Sequence, residues 1–298
     1  MPEQFAEGVN GIDVCYETFG PPDGEPLLLI MGLSAPMIWW DEKFCQLLVE
    51  RGFHVIRFDN RDCGRTSSIG GSVSLPAAYL GRKTAYALDD MSDDAAALLT
   101  RLGIPSAHVV GASLGGMIGQ LLAIRHPDRV RSLTSIMSHT GNRLVWRPHR
   151  KAMSMLLTAP PRDREGYVAH HLRMASVIGS PSYPTDEKRL RERAEHTFER
   201  GLNRAGTARQ LAAAVAAQDR TRMLKRLRLP TTVIHGADDL LINLGCGLAT
   251  VRAVPGAELH VINGMGHDLP EPLWPRFADM IEQTARRATP QVRKPEVG

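Results

Sequence analysis

Cysteine is scarce in this chain, and the few it has are scattered: Cys15, Cys45, Cys63 and Cys246 stand far apart with no CxxC pair among them. That spacing offers neither the paired ligands of a zinc site nor a disulfide framework, so reduced thiols are expected. Long apolar runs are missing as well. No stretch approaches the roughly 18 apolar residues that a membrane span needs, and the N-terminal MPEQFAEGVNG has neither the basic start nor the apolar core of a secretory leader. A soluble, cytoplasmic protein is the expectation. Charge of one sign is also lacking: 36 Lys and Arg face 32 Asp and Glu, for a net of +4, and the basic residues form no tract interleaved with aromatics. That balance argues against a nucleic-acid partner. Internal repeats are absent, and the sequence leaves monomer and homodimer both open.

What is present is enough apolar material, 43% of 298 residues, to bury a full core, in a chain somewhat long for one plain domain. Strand-like and helix-like segments take turns. IDVCYETFG alternates like a half-buried strand after a short first hairpin, and PLLLIMG reads as a strand covered on both faces. Then follow a helix near DEKFCQLLVERG, a strand HVIRFD, a helix near DDMSDDAAALLTRLG, the strand AHVVGA and a helix after Ser113. The alternation predicts an α/β protein with a mostly parallel sheet and helices on both faces. It resumes late, with VRSLTSIMS, TTVIHGADD and ELHVINGMG as strands and PLWPRFADMIEQTARRA as a final helix. Between Ser138 and Leu229 the strand pattern disappears into helical spacing. The expected organisation is therefore a core of residues 1–138 and 230–298 with a helical cap inserted at 139–229. The final ATPQVRKPEVG is polar and proline-containing, and fraying is expected there.

The stretch VVGASLGGMIG, residues 109–119, crowds glycine around a single hydroxyl. A nucleophilic serine on a sharp strand-to-helix turn needs such small neighbours, because its backbone is strained and its flanks are crowded. Gly111 and Gly115 flank Ser113 at that spacing, a β-branched strand precedes it and a helix can follow, whose N-terminus favours a developing anion. A dinucleotide fingerprint is excluded because no glycine stands two places after Gly111. Serine is a poor nucleophile without a base, so a histidine and an acid should follow in the order Ser, Asp, His. ADD follows the strand TTVIHG, and MGHDLP follows ELHVING. The carboxyl ends of successive strands thus carry Asp239, with Asp238 as its rival, and His267, whose loop is loosened by Gly264 and Gly266. For an oxyanion, the N–H of Leu114 follows the nucleophile, and the N–H of Leu33 follows the turn at Gly32.

Taken together from about residue 10 to 287, LLLIMG, VIRFDNRDCGRTS, VVGASLGGMIGQ, VIHGADD and INGMGHDLPEPLWPRF resemble an α/β-hydrolase, within an actinobacterial esterase group that includes methylesterases of the aclacinomycin type. The resemblance implies Ser113 as nucleophile, His267 as general base, Asp239 as the orienting acid because it lies three residues after the glycine, and Leu33 and Leu114 as oxyanion donors. It implies a serine carboxylic-ester hydrolase acting on a small-molecule ester, with no cofactor and no metal. Met31 stands where a histidine often precedes the oxyanion glycine, which implies a more apolar pocket floor. The insertion carries no match, and a lactonase, a perhydrolase-like enzyme, a carbon–carbon bond hydrolase or a non-catalytic binding protein would share the same motifs. Three other groups draw attention. Asp59, Arg61, Asp62 and Arg65 are read as internal salt bridging rather than a substrate clamp. Trp39, Trp40, Met153, Met155 and Met174 are read as core before pocket. His126, His235, His170 and His171 are read as a helix end, a strand end and members of the insertion.

Overall fold

The computed structural model describes residues 3–81 and 84–288. The tail expected to fray lies, from residue 289 onward, outside the described residues. Eight strands form one sheet: β1 (Gln4–Val9), β2 (Ile12–Phe19), β3 (Glu25–Ile30), β4 (Phe53–Phe58), β5 (Ala107–Ala112), β6 (Val130–Ile136), β7 (Thr231–Gly236) and β8 (Glu258–Ile262). Their spatial order is β1-β2-β4-β3-β5-β6-β7-β8. The first two strands form the expected hairpin and join β4 antiparallel, while every pairing from β4 to β8 is parallel.

The helices are α1 (Glu42–Val49), α2 (Leu75–Tyr79), α3 (Leu88–Arg101), α4 (Leu114–Arg125), α5 (Arg150–Leu157), α6 (Arg164–Ile178), α7 (Glu187–Glu199), α8 (Arg204–Ala216), α9 (Thr221–Leu224), α10 (Leu244–Ala253) and α11 (Trp274–Arg286). Two apolar layers sandwich the sheet. Leu98, Leu99, Ile118 and Leu122 of α3 and α4 pack on one face with Leu28, Ile30 and Val109. Phe44 and Leu48 of α1 and Phe277 and Ile281 of α11 pack on the other with Leu27, Leu29 and Val110. Successive residues of β3 and β5 thus face opposite helical layers, which is why those strands read as continuous apolar runs. Helix α4 is buried from Leu114 to Ala123, as its nearly all-apolar sequence requires.

Two features depart from the sequence reading. The alternation expected of β2 fails at Cys15 and Glu17, both buried on the face that should be polar: the Cys15 thiol lies beneath Arg200, and Glu17 is paired with Arg57. The other is a pair of helices the pattern did not announce. One is α2, only five residues long; the other is α10, whose glycines and modest amphipathicity hid it. Between β6 and β7 the chain runs through α5, α6, α7, α8 and α9, with no strand among its described residues.

Candidate active site

The parallel strand order reverses direction beside β3, since β4 lies on one side of it and β5 on the other. A crevice opens at the carboxyl ends of strands around such a switch. Four chain segments reach it: Gly32 and Leu33 after β3, Ser113 after β5, Asp239 after β7 and His267 after β8.

Ser113 is the N-cap of α4 and holds φ +54°, ψ −117°, a left-handed φ that is costly for a residue with a side chain. The surroundings impose it. Its N–H donates to the Ile136 carbonyl at 2.9 Å, and its carbonyl accepts the Ser138 hydroxyl at 2.7 Å. The flanking glycines are required by contact: a Cβ on Gly111 would stand 2.2 Å from the Gly115 carbonyl oxygen, and one on Gly115 would stand 2.0 Å from the Ile30 oxygen. The turn is thus wedged between its own helix and β3, with the hydroxyl pushed outward.

The His267 ring joins two groups. Nε2 lies 2.9 Å from Ser113 Oγ, and Nδ1 lies 2.7 Å from Asp239 Oδ2. The Asp239 side chain has no solvent exposure and that of His267 only 8%. Asp239 Oδ1 accepts the N–H groups of Leu241 and Ile242 at 2.9 and 2.8 Å, so both carboxylate oxygens are committed. Asp238, adjacent in sequence, does something else: its Oδ2 accepts the Gly264 N–H at 2.8 Å and ties the loop that carries the histidine. That loop is also hooked to α6, because the His267 N–H donates to the Ile178 carbonyl at 2.6 Å and the Gly266 N–H donates to Ser180 Oγ at 2.9 Å. Gly266 must be glycine here; a Cβ would meet the Gly179 oxygen at 2.3 Å.

A Cβ on Gly32 would stand 3.3 Å from Ser113 Cβ and 3.9 Å from its Oγ, so the turn after β3 presses directly against the serine. Among the described residues no backbone carbonyl takes the N–H of Leu33 or of Leu114.

Above the site lies a cavity of about 1150 Å³ roofed by the helices between β6 and β7. This exceeds the roughly 300–1,000 Å³ of ordinary ligand pockets. Ser113 and His267 line it, as do Trp39, Met153, Met155 and Met174, so those four belong to the cavity wall and not to plain core. Trp40 alone of that group is fully buried in the core. Met31 forms part of the floor, as its apolar character implies.

The charged segment after β4 is structural. Arg61 pairs with Asp94, Arg65 with Glu3, Asp59 with Arg200 and Asp62 with Arg209. Two of these pairs reach the helices of the insertion, a feature invisible in sequence because the partners stand some 140 residues away. His126 caps α4 and binds Asp93. His235 is buried in β7, where its Nε2–H donates to the Ile242 carbonyl at 2.7 Å, and burial holds its pKa below the usual imidazole range. His170 and His171 line the cavity; burial first, then His170 and Arg193, press His171 down to about 4, so its ring is neutral.

Sequence reasoning missed three polar groups of the cavity wall. His139 stacks on Trp146 with ring centroids 5.4 Å apart and accepts the Gly141 N–H at Nδ1, and burial presses its pKa to about 3. Asp268 accepts the Ser180 hydroxyl. Arg193 lies over the Trp39 ring at 4.2 Å. Only adjacency to a strand end could have singled out the first two, and nothing marked Arg193 among the many arginines of α7. No group of three or more His, Cys, Asp or Glu among the described residues could hold a metal, and no described helix is long and apolar enough to cross a membrane.

Comparison with known proteins follows the same lines. Residues 25–271 match the model of the alpha/beta hydrolase fold. The chain is 28% identical to rhodomycin D methylesterase DauP of Streptomyces sp. (strain C5), covering 92% of this chain and 95% of that one. It is 26% identical to 3-oxoadipate enol-lactonase 2 of Acinetobacter baylyi (strain ATCC 33305 / BD413 / ADP1), over 87% and 88% of the two chains. Among solved structures, a thermophilic esterase from Thermogutta terrifontis superposes with a TM-score of 0.73 at 22% identity, covering 97% of this chain and 99% of that one.

Proposed function

The chain belongs to the alpha/beta hydrolase fold family, and from that premise we propose that it is a serine carboxylic-ester hydrolase working through an acyl-enzyme. Ser113 attacks the ester carbonyl while His267 Nε2 takes its proton. The Leu33 and Leu114 amides hold the oxyanion, and the alcohol leaves with the proton returned by His267. Water, activated by the same imidazole, then releases the acid. Asp239 fixes the Nδ1–H tautomer and stabilises the imidazolium that forms. The observation that carries the reading is the relay itself, Ser113 Oγ to Nε2 at 2.9 Å and Nδ1 to the buried Asp239 at 2.7 Å.

In this reading residues 139–229 are a cap on a core made of 1–138 and 230–298, and the cap sets substrate selectivity. A wide apolar cavity favours a bulky acyl body over a short chain, and a methyl ester of a polyketide-like ring system fits both the volume and the methylesterase relative. The test pairs a fluorophosphonate label with a p-nitrophenyl ester assay. Stoichiometric labelling lost in Ser113→Ala, together with a fall in kcat of roughly 10⁴-fold, is expected. A folded Ser113→Ala protein with near-parental turnover overturns the assignment, and stoichiometric labelling without turnover makes the protein a binder of esters instead.

A further inference from the structure

Arg193 is a partly buried arginine on the cavity wall that makes no ion pair with a carboxylate, although Asp268 and Asp41 act on it at longer range. It lines the cavity, its Nε is buried without a hydrogen-bond partner, and among the described residues it forms no ion pair within 4 Å. Arg200 pairs with Asp59, Arg209 with Asp62, and Arg220 bonds Gln120 and the His139 carbonyl; Arg204, at the start of α8, also has a buried Nε without a partner but does not line the cavity. Asp268 and Asp41 act on Arg193 only through space, and Asp268 is already engaged by the Ser180 hydroxyl. Trp39 covers one face of the guanidinium at 4.2 Å. A cation–π contact offsets part of the desolvation of a buried cation but satisfies none of its N–H donors.

The charged side chains that line the cavity are Arg143, Arg193 and Asp268, two cations against one carboxylate. From His139 to Arg162 the chain carries Arg143, Arg147, Arg150, Lys151 and Arg162 and no Asp or Glu. Of these, Arg143 lines the cavity, held by the carbonyls of Tyr79 and Val215 and by no carboxylate. Neighbouring His171 is neutral and adds no charge of its own. The rest of the lining is overwhelmingly apolar, so an unanswered cation in it is costly to the empty protein.

Resting on the esterase reading above, we propose that Arg193 is a specificity-determining residue that binds a second, anionic oxygen group of the substrate, a carboxylate or ionised phenol, remote from the ester that Ser113 attacks. The guanidinium fork pairs two oxygens of such a group in the plane that Trp39 sets, and Arg143 on the same wall adds to the attraction, opposed by Asp268. The anion fixes the ring body or acyl chain so that the scissile carbonyl falls between Ser113 and the two amides. The substrate class is thereby narrowed to esters that carry a negative charge elsewhere in the molecule.

The test uses p-nitrophenyl monoesters of dicarboxylic acids from succinate to pimelate, each against its methyl-capped neutral twin. The parent should prefer the anionic member at one chain length or more by about tenfold or better in kcat/KM. Arg193→Met should cut that anionic-to-neutral ratio by roughly 100-fold, the scale of losing one partner of a desolvated charge pair, and Arg193→Lys should restore part of it. Thermal unfolding supplies the readout that a merely structural role would move: the Met variant, relieved of an unpaired buried charge, should melt no lower than the parent. No anionic preference at any length, or a ratio unchanged in Arg193→Met, overturns the inference. Failure of the esterase reading looks different, with neither twin hydrolysed and Ser113 unlabelled. Calorimetric titration of Ser113→Ala with monomethyl dicarboxylates then decides the anion site by itself: binding that vanishes when Arg193→Met is added upholds it, and absent or unaltered binding ends it.

Discussion

Asp238 and Asp239 differ by one position in sequence and by their whole role in space. Asp239 accepts from His267 Nδ1 and from two backbone amides, while Asp238 accepts from the Gly264 N–H. Asp239→Asn should therefore cost roughly 10⁴-fold in kcat, because the amide cannot hold the imidazole tautomer that leaves Nε2 free to take a proton. Asp238→Asn should leave kcat within about tenfold, because an amide oxygen can still accept one N–H. Steady-state kinetics with an activated ester ranks the two, and the reverse order would move the acid to Asp238. At this scale the sequence was informative where chemistry constrains the letter. Ser113 announces itself because only glycine tolerates the contacts at 111 and 115. The choice between two adjacent aspartates was not readable from their own letters, since it depends on an imidazole and an amide contributed by the loop after β8.

Among the elements, strands were easier to read than helices, for a physical reason. A strand covered by helices on both faces must be apolar along its covered stretch, as residues 27–30 of β3 and 109–112 of β5 are. The insertion helices obey no such rule, because each faces solvent, cavity and core in turn, and their docking relies on long-range pairs. Asp62, after β4, grips Arg209 of α8 with Oδ1 and Oδ2 at 2.7 and 2.8 Å, and both side chains are almost wholly buried. The charges of that loop are legible as salt bridging, but their partners in a distant helix are not. Asp62→Asn should leave Arg209 charged and unanswered, lowering the free energy of unfolding by about 3 kcal/mol. Replacing both partners, Asp62→Leu with Arg209→Met, should recover most of the loss because no charge is then stranded. Urea unfolding of the three variants measures this. A single-variant change below about 1 kcal/mol would mean that apolar contacts alone seat α8 on the core.

For the whole molecule, the same burial that shapes the cavity sets a dependence on acid. His139 is pressed to about 3 by burial, with Arg220 and the neighbouring histidines adding to it. His171 is pressed to about 4 by burial and then by His170 and Arg193. His108, on β5 with Nδ1 beside the Ser132 hydroxyl at 2.8 Å, is also pressed to about 4, by burial and then Arg131, with Glu25 opposing. In the unfolded chain each titrates near 6.5. Between about pH 6.5 and 4 the unfolded chain thus binds more protons than the folded one, so folding stability is complete above pH 6.5 and falls as the solution is acidified. Each histidine contributes up to about 1.4 kcal/mol per pH unit in that window. Asp59 works the other way, since burial pushes it up to about 6 and acid then favours its folded form, and burial raises Asp94 and Asp268 too, but His170, His235 and His260 are also held low by burial, so six imidazoles oppose these three carboxyls. The urea midpoint should accordingly drop steadily from pH 7 to pH 5. His139→Asn, which keeps an acceptor for the Gly141 N–H while removing one titrating ring, should flatten that slope. A midpoint that stays level over the same range would mean that these rings take up protons in place, through water entering the cavity on which two of them open.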